Sequence, residues 1–185
     1  MTRLHITLFA FLTLGVANAT TISVLPAITN VTTGSDFNVN IQIDSAADLY
    51  AWQFDFGYDP LVAVVSLVTD GTFLATGGPE SYFAGTVDNA SGSVSSVSSL
   101  LTNAVSGVSG SGLLATITLH AVGAGQSTLS AFNFILLDST FSDISADTVP
   151  ATVTVSAATA TPEPGTAVLL LAGSFVFLWR RLTQS

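Results

Sequence analysis

The chain has 185 residues, of which 49% are hydrophobic and 8% are charged, and it carries a formal net charge of −9 and no cysteine. Its three basic residues, Arg3, Arg180 and Arg181, lie in the terminal segments, so the central region lacks the cations with which proteins replace the counterions of nucleic acids. A nucleic-acid-binding protein and a disulfide-stapled fold are therefore excluded, and the length suits a single domain held by packing.

Residues 1–19 have the composition of a secretory signal peptide. Arg3 is followed by an apolar stretch from about Ile6 to Val16, and then by the small residues Ala17 and Ala19. This order of charge, apolar run and small-x-small triplet is typical of exported proteins. We expect cleavage after Ala19 and export of the remaining chain.

Residues 20–157 are predicted to form one β-domain. FNVNIQI alternates strictly between apolar and polar residues over 37–43, which indicates a half-buried strand. LYAWQFDFGY repeats the alternation over 49–58 and places five aromatic side chains on one face, which we expect in the core: Tyr50, Trp52, Phe54, Phe56 and Tyr58.

The segments LVAVVSLV, LLATITLHAV, STLSAFNFILL and ATVTVS add further strand-like runs, separated by turn-forming stretches such as TGGPE and VGAGQ. GSVSSVSSLL is also interpreted as a strand, although Val94, Val97 and Leu100 recur every three residues and fit no regular period. Several short strands between turns predict an antiparallel β-sandwich.

The same region offers little for catalysis, because His120 is its one histidine and alternates with threonines that face solvent. We therefore expect no enzymatic activity and no bound cofactor. Asp138, Asp143 and Asp147 cluster in a loop-rich segment and form a weak candidate calcium site, since calcium takes oxygen ligands. Solvated turn residues are the preferred interpretation of these aspartates.

From LYAWQFDFGYDPLVAVVSLVTDGTFL to SGSGLLATITLHAVGAGQSTL the chain resembles the cohesin module, through Tyr58, Asp59, Pro60 and the Gly71-x-Phe73 turn. The resemblance implies a jelly-roll sandwich of about nine strands, related to some carbohydrate-binding modules. It also implies a calcium-binding dockerin as partner. In the best-known type, an Asn and an Asp before Tyr-Asp-Pro recognise the dockerin.

The positions that match this Asn and Asp hold Ala51 and Gln53, so the chain departs from the family pattern there. Ala51, Gln53 and Asp55 lie on the polar side of their predicted strand and form a candidate binding face. Tyr82 is added to this face as an aromatic platform for a glycan, and Phe83 and Trp52 are further candidates for such a platform.

Residues 158–185 contain three ordered parts: Pro162-Glu163-Pro164, an uncharged run over 165–179, and the pair Arg180 and Arg181. As a helix the run spans about 23 Å, and with its flanking residues it predicts a transmembrane helix whose arginines remain in the cytoplasm. The tail resembles the PEP-CTERM sorting signal of Gram-negative bacteria. Thr161 replaces the Val that usually precedes the motif.

The resemblance implies recognition by exosortase, a membrane-embedded cysteine transpeptidase, and an association with exopolysaccharide. The expected location is the inner membrane before processing, and then the cell surface or extracellular matrix. The expected function is a non-enzymatic binding or scaffold protein that makes protein-protein or protein-glycan contacts. Two alternatives are a carbohydrate-binding module acting on exopolysaccharide and a structural matrix protein without a specific small ligand.

Overall fold

The computed structural model describes residues 19–158, so nearly all of the predicted signal peptide and of the predicted sorting signal, including the predicted transmembrane helix, lies outside the described residues. Eleven strands are present within this range: β1 (Thr20–Leu25), β2 (Ile28–Thr32), β3 (Asp36–Gly57), β4 (Ala63–Asp70), β5 (Glu80–Phe83), β6 (Thr86–Asp88), β7 (Ser93–Leu101), β8 (Val108–Ala121), β9 (Gly125–Asp138), β10 (Ala146–Val149) and β11 (Ala151–Ser156). Among the described residues the one helical element is a short 3-10 turn, Leu74–Gly77. None of the helical structure in this range could cross a membrane.

The long strand β3 belongs to both sheets of a β-sandwich. Its first half pairs with β1 and β8, which gives a sheet in the order β10-β1-β3-β8-β4. Its second half pairs with β7 and β9, which gives a sheet in the order β5-β7-β3-β9-β11-β2, with β6 also on β7. We call these sheet 1 and sheet 2. The strand changes sheet around Ser45 and Asp48, which both have a φ of 57°.

Two features differ from the predicted nine-stranded antiparallel sandwich. The strands number eleven, because short pieces such as β5, β6 and β10 pair at the sheet edges. Two of the pairings, β1 with β10 and β2 with β11, are parallel. The all-β class and the sandwich architecture are as the alternating pattern predicted.

The core lies between the two sheets, and β3 supplies its largest side chains. The five aromatic residues of the predicted inner face are all buried, with exposures from 0% at Phe54 and Phe56 to 9% at Tyr50. The rings of Trp52 and Phe54 stack at a centroid distance of 5.5 Å. The period-two pattern of this segment therefore identified the buried side of the strand correctly.

The irregular spacing in GSVSSVSSLL is explained by a β-bulge. Val94 pairs with Phe56 and Val97 with Phe54, and the register shifts between them. Ser96 has a φ of 61° at this point. Because the extra residue resets the alternation, Val94 and Val97 both face the core although three positions separate them.

The corner after β3 is built around Asp59, which precedes Pro60. Its side-chain Oδ1 accepts a hydrogen bond from the backbone N–H of Leu61 at 2.9 Å. Its carbonyl accepts from the N–H groups of Val62 and Ala63. This local network ends β3 and directs the chain into β4 at the edge of sheet 1.

Candidate functional site

The outer side of sheet 2 carries the predicted binding residues Ala51, Gln53 and Asp55 together with several exposed apolar side chains. Leu137, Ala51, Leu100 and Ser81 form one row across β9, β3, β7 and β5, and Ile135, Gln53, Ser98 and Phe83 form the next. Phe132 and Asp55 begin a third row. We call this surface the β9-β3-β7-β5 face.

Large apolar side chains are exposed on this face. Phe83 is 53% exposed, Ile135 46%, Leu100 44% and Phe132 41%. Between them the surface forms a shallow depression of about 210 Å³ whose lining includes Ala51, Gln53 and Ser98. A cluster of exposed apolar side chains around polar groups is characteristic of a protein-protein contact surface.

Asp55 is the single charged residue in the three rows. Its Oδ1 accepts a hydrogen bond from the backbone N–H of Ser96 at 2.8 Å, and its Oδ2 accepts from the Nδ2 of Asn133 at 2.8 Å. The face is therefore nearly uncharged, and its carboxylate is already hydrogen-bonded to the two neighbouring strands. No lysine or arginine occurs anywhere in residues 19–158.

The structure places Ala51, Gln53 and Asp55 on the outer side of sheet 2, where the sequence pattern placed them, but it places Tyr82 on the inner side. Tyr82 pairs with buried Ser99, and its ring packs 6.3 Å from that of Trp52. Burial, with the nearby charge of Asp70, raises the pKa of Tyr82 to about 12. Phe83 occupies the outer position instead, because neighbouring residues of β5 alternate between the two sides of the sheet.

The three aspartates of the candidate calcium site are not brought together. Asp138 Oδ1 accepts hydrogen bonds from the N–H and hydroxyl of Thr140 and from the N–H of Ser142, and these bonds hold its pKa below the usual value. Asp147 lies on β10 beside Thr21. Within residues 19–158 there is no group of three or more His, Cys, Asp or Glu side chains placed to hold a metal.

Two other ionisable pairs lie outside the face. His120 Nδ1 lies 2.6 Å from Asp36 Oδ1 on the outer side of sheet 1, where the sequence predicted a solvent-facing histidine. Asp70 and Glu80 meet where the edges of the two sheets approach each other, and Glu80 accepts a hydrogen bond from the buried Ser99 hydroxyl at 2.8 Å. Burial, with the charge of Glu80, raises the pKa of Asp70 to about 6.

Sequence reasoning named Phe83 only as a candidate glycan platform, and it missed the other exposed apolar members of the face, which are Leu100, Phe132 and Ile135. Leu100 and Ile135 follow bulges at Ser96 and Asn133, which both have positive φ. A bulge exchanges the inner and outer positions of the residues after it. An Asn within the alternating run STLSAFNFILL is the one signal that could have suggested the second bulge, since Asn tolerates this conformation.

Comparison with known proteins places this fold in a family. The model of the cohesin domain matches residues 22–170. A comparison with curated proteins gives no match.

Several solved cohesins have the same fold. A non-cellulosomal cohesin from the archaeon Archaeoglobus fulgidus is 18% identical with a TM-score of 0.60, and the match covers 75% of this chain and 92% of that one. The chain matched in a type I cohesin-dockerin complex from Clostridium thermocellum is 16% identical with a TM-score of 0.62, over 75% and 100%. An Acetivibrio cellulolyticus cohesin solved with a ScaB dockerin is 14% identical with a TM-score of 0.59, over 74% and 98%.

Cohesin domains are non-enzymatic protein-binding modules, which agrees with the lack of catalytic groupings expected from the sequence. The solved relatives share the sandwich architecture at low identity, and the family model extends over well more than half of the residues. The chain therefore belongs to the cohesin domain family.

Proposed function

We propose that this chain is an exported cohesin module that binds a dockerin-type partner protein through the β9-β3-β7-β5 face. The observation that carries the proposal is the set of exposed apolar side chains around Gln53 and Ser98 on a cohesin sandwich. Solved cohesins of the same fold are found in complexes with dockerins. Cohesin domains are typically extracellular or at the cell surface, which agrees with the predicted export.

The chemistry of the face defines the partner that it fits. Leu100, Ile135 and Phe83 offer apolar contacts, while Gln53 and Ser98 offer neutral hydrogen-bonding groups. Ala51 stands where the best-known cohesins have a polar residue, so the centre of this face is more apolar than theirs. The partner is therefore a protein with apolar anchors and few charges at its centre.

In this proposal the terminal segments determine the cellular location of the domain. A signal peptide over residues 1–19 exports the chain, and residues 158–185 act as a PEP-CTERM signal that anchors the domain until exosortase processes it. The support is sequence order alone: Pro162-Glu163-Pro164, an uncharged run and an arginine pair. The module then acts at the cell surface or in the extracellular matrix.

The test is a titration of the purified protein with calcium-loaded dockerin modules from the same organism, followed by calorimetry. Ile135→Asp and Leu100→Asp place a carboxylate in the apolar rows, and each is expected to weaken binding by at least about tenfold, or about 1.4 kcal/mol. Leu67→Asp is the matched control, because Leu67 is 54% exposed on β4 of sheet 1. Equal binding by all three variants, or binding by none of the dockerins, contradicts the proposal.

A second candidate function, glycan binding, is favoured by one exposed aromatic residue. Phe141 is 66% exposed and packs edge-to-face on Tyr50 at a centroid distance of 5.4 Å. The two rings line a groove of about 400 Å³ together with Ser106 and Ser139. An aromatic surface beside hydroxyl groups suits the apolar face of a sugar ring.

Affinity electrophoresis in gels that contain the host's exopolysaccharide tests this second function. Phe141→Ala is expected to abolish the retardation, whereas Phe132→Ala, which removes an exposed phenylalanine from the β9-β3-β7-β5 face, is expected to leave it unchanged. Unretarded migration of the unmodified protein rules out glycan binding by this groove.

A further inference from the structure

Two apolar side chains are exposed together at one end of the sandwich. Leu61, after the Asp59 corner, is 81% exposed, and Val122, after β8, is 41% exposed. The backbone N–H of Val122 donates to the Val62 carbonyl at 2.9 Å. A Cβ built on Gly123 would lie 2.3 Å from the Leu61 carbonyl oxygen, so the two loops are in direct contact. We call this surface the Leu61-Val122 tip.

The chain leaves the sandwich at the same end. The carbonyl of Ala121, next to Val122, accepts a hydrogen bond from the N–H of Gly34 at 2.8 Å. The neighbouring Thr33 donates its N–H to the carbonyl of Ser156 at 2.9 Å. Ser156 is the last residue of β11, so the segment that leads to the C-terminal tail begins beside the tip.

The segment between β11 and the apolar run of the tail is short, so the run must begin close to the tip. Residues 157–164 separate β11 from the uncharged run over 165–179. Eight residues span at most about 28 Å when fully extended. If residues 165–179 lie in a bilayer, the end of the sandwich that carries the tip is the one held near the lipid surface.

The charges at this end do not attract an anionic surface. Asp36 is paired with His120 at 2.6 Å, Asp59 accepts from the N–H of Leu61, and Asp88 accepts from Ser91. Lysine and arginine are missing from residues 19–158. The lipid chemistry that fits the tip is therefore a zwitterionic surface entered by apolar side chains, without electrostatic attraction.

We propose that the Leu61-Val122 tip inserts into the surface of the bilayer that anchors the chain. The proposal rests on the membrane-anchor part of the proposed function. Two side chains alone hold a protein weakly, so the contact depends on the high local concentration that the short tether provides. This contact would orient the sandwich on the membrane. The β9-β3-β7-β5 face would lie on the side of the sandwich, and Phe141, at the end opposite the tip, would be away from the membrane.

The test uses the full chain in phosphatidylcholine vesicles. Because the sequence has no cysteine, Leu61→Cys and Val122→Cys each accept a single environment-sensitive nitrobenzoxadiazole label. We expect blue-shifted emission, and quenching when the vesicles contain brominated lipid. Phe141→Cys is the matched control at the far end, and we expect neither effect there. Labels at 61 and 122 with the same emission and quenching as the label at 141 overturn the proposal.

Two further measurements separate the contribution of the membrane anchor from that of the tip contact. Insertion of a long Gly/Ser segment after Ala158 is expected to reduce quenching at 61, and quenching that persists overturns the tethered contact. Flotation of the vesicles reports the anchor independently of the labels. A chain that does not float overturns both the anchor and the tip contact, whereas a floating chain with a solvent-exposed label overturns the tip contact alone. Dockerin binding is measured separately and is unaffected by either result.

Discussion

The backbone N–H of Ser96 donates a hydrogen bond to Asp55 Oδ1 at 2.8 Å, where β7 bulges away from the regular ladder. The second oxygen of the same carboxylate accepts from Asn133 Nδ2, where β9 bulges on the other side of β3. Ser96 and Asn133 have φ values of 61° and 53°. One side chain in the middle strand thus stabilises both irregularities that set the positions of Leu100 and Ile135.

Replacing Asp55 by alanine is expected to lower the free energy of unfolding by about 1–2 kcal/mol, because both hydrogen bonds to the carboxylate are lost. Thermal unfolding and chemical denaturation measure the change. We also expect weaker binding of the dockerin-type partner, since the rows of the face depend on the two bulges.

The matched control for Asp55 is Asp143→Ala. Asp143 is exposed, and its carboxylate makes no hydrogen bond within the described residues, so the change is expected to stay within about 0.5 kcal/mol. An Asp55→Ala protein as stable as the Asp143→Ala protein contradicts a structural role for the carboxylate.

The sequence was informative where burial imposes strict alternation. FNVNIQI and LYAWQFDFGY revealed the inner face of β3, and with it the outward direction of Ala51 and Gln53. The bulges of β7 and β9 were hidden, because they depend on a hydrogen-bonding partner in a distant strand. Because no strand was predicted over residues 80–83, the alternation that turns Tyr82 inward and Phe83 outward was not recognised. The pairing of Asp70 with Glu80 could not be predicted either, since it joins the edges of separate sheets.

Asp70 is expected to make stability fall as pH rises from about 4 to about 6. Burial, with the charge of Glu80, raises its pKa in the folded state from 3.8 to about 6. The folded protein therefore binds more protons than the unfolded chain between these values, and this stabilisation is lost as pH rises through the folded pKa. Asp70→Asn is expected to raise the melting temperature at neutral pH and to flatten this slope.

Asp88→Asn is the control, because the pKa of Asp88 is shifted in the direction opposite to that of Asp70. Hydrogen bonds from Ser91 and Ala90 lower the pKa of Asp88, so its contribution is present at neutral pH and disappears only as pH falls below the ordinary value of 3.8. We expect this variant to keep the slope between pH 4 and 6. Melting curves across this range that are identical for Asp70→Asn and the unmodified protein contradict the role given to Asp70.

The hydroxyl groups of Tyr50 and Tyr82 should respond differently to removal. Tyr50 donates its hydroxyl to the Asn103 carbonyl at 2.9 Å, so Tyr50→Phe is expected to cost about 1 kcal/mol. The buried hydroxyl of Tyr82 has no partner among the described residues, so Tyr82→Phe is expected to be neutral or stabilising. Denaturation midpoints of the two variants decide the question, and a larger loss at Tyr82 would show that its hydroxyl has a partner.

Processing at both termini predicts a definite mass for the protein isolated from its host. Cleavage after Ala19 gives a chain that begins at Thr20, and cleavage near the Pro-Glu-Pro sequence gives one that ends near Pro162. Intact mass spectrometry of membrane and medium fractions measures both ends. A chain that still carries Arg180 and Arg181 in the membrane fraction would identify a permanent one-helix anchor. Such a result would contradict exosortase sorting but preserve the tether on which the lipid contact of Leu61 and Val122 depends.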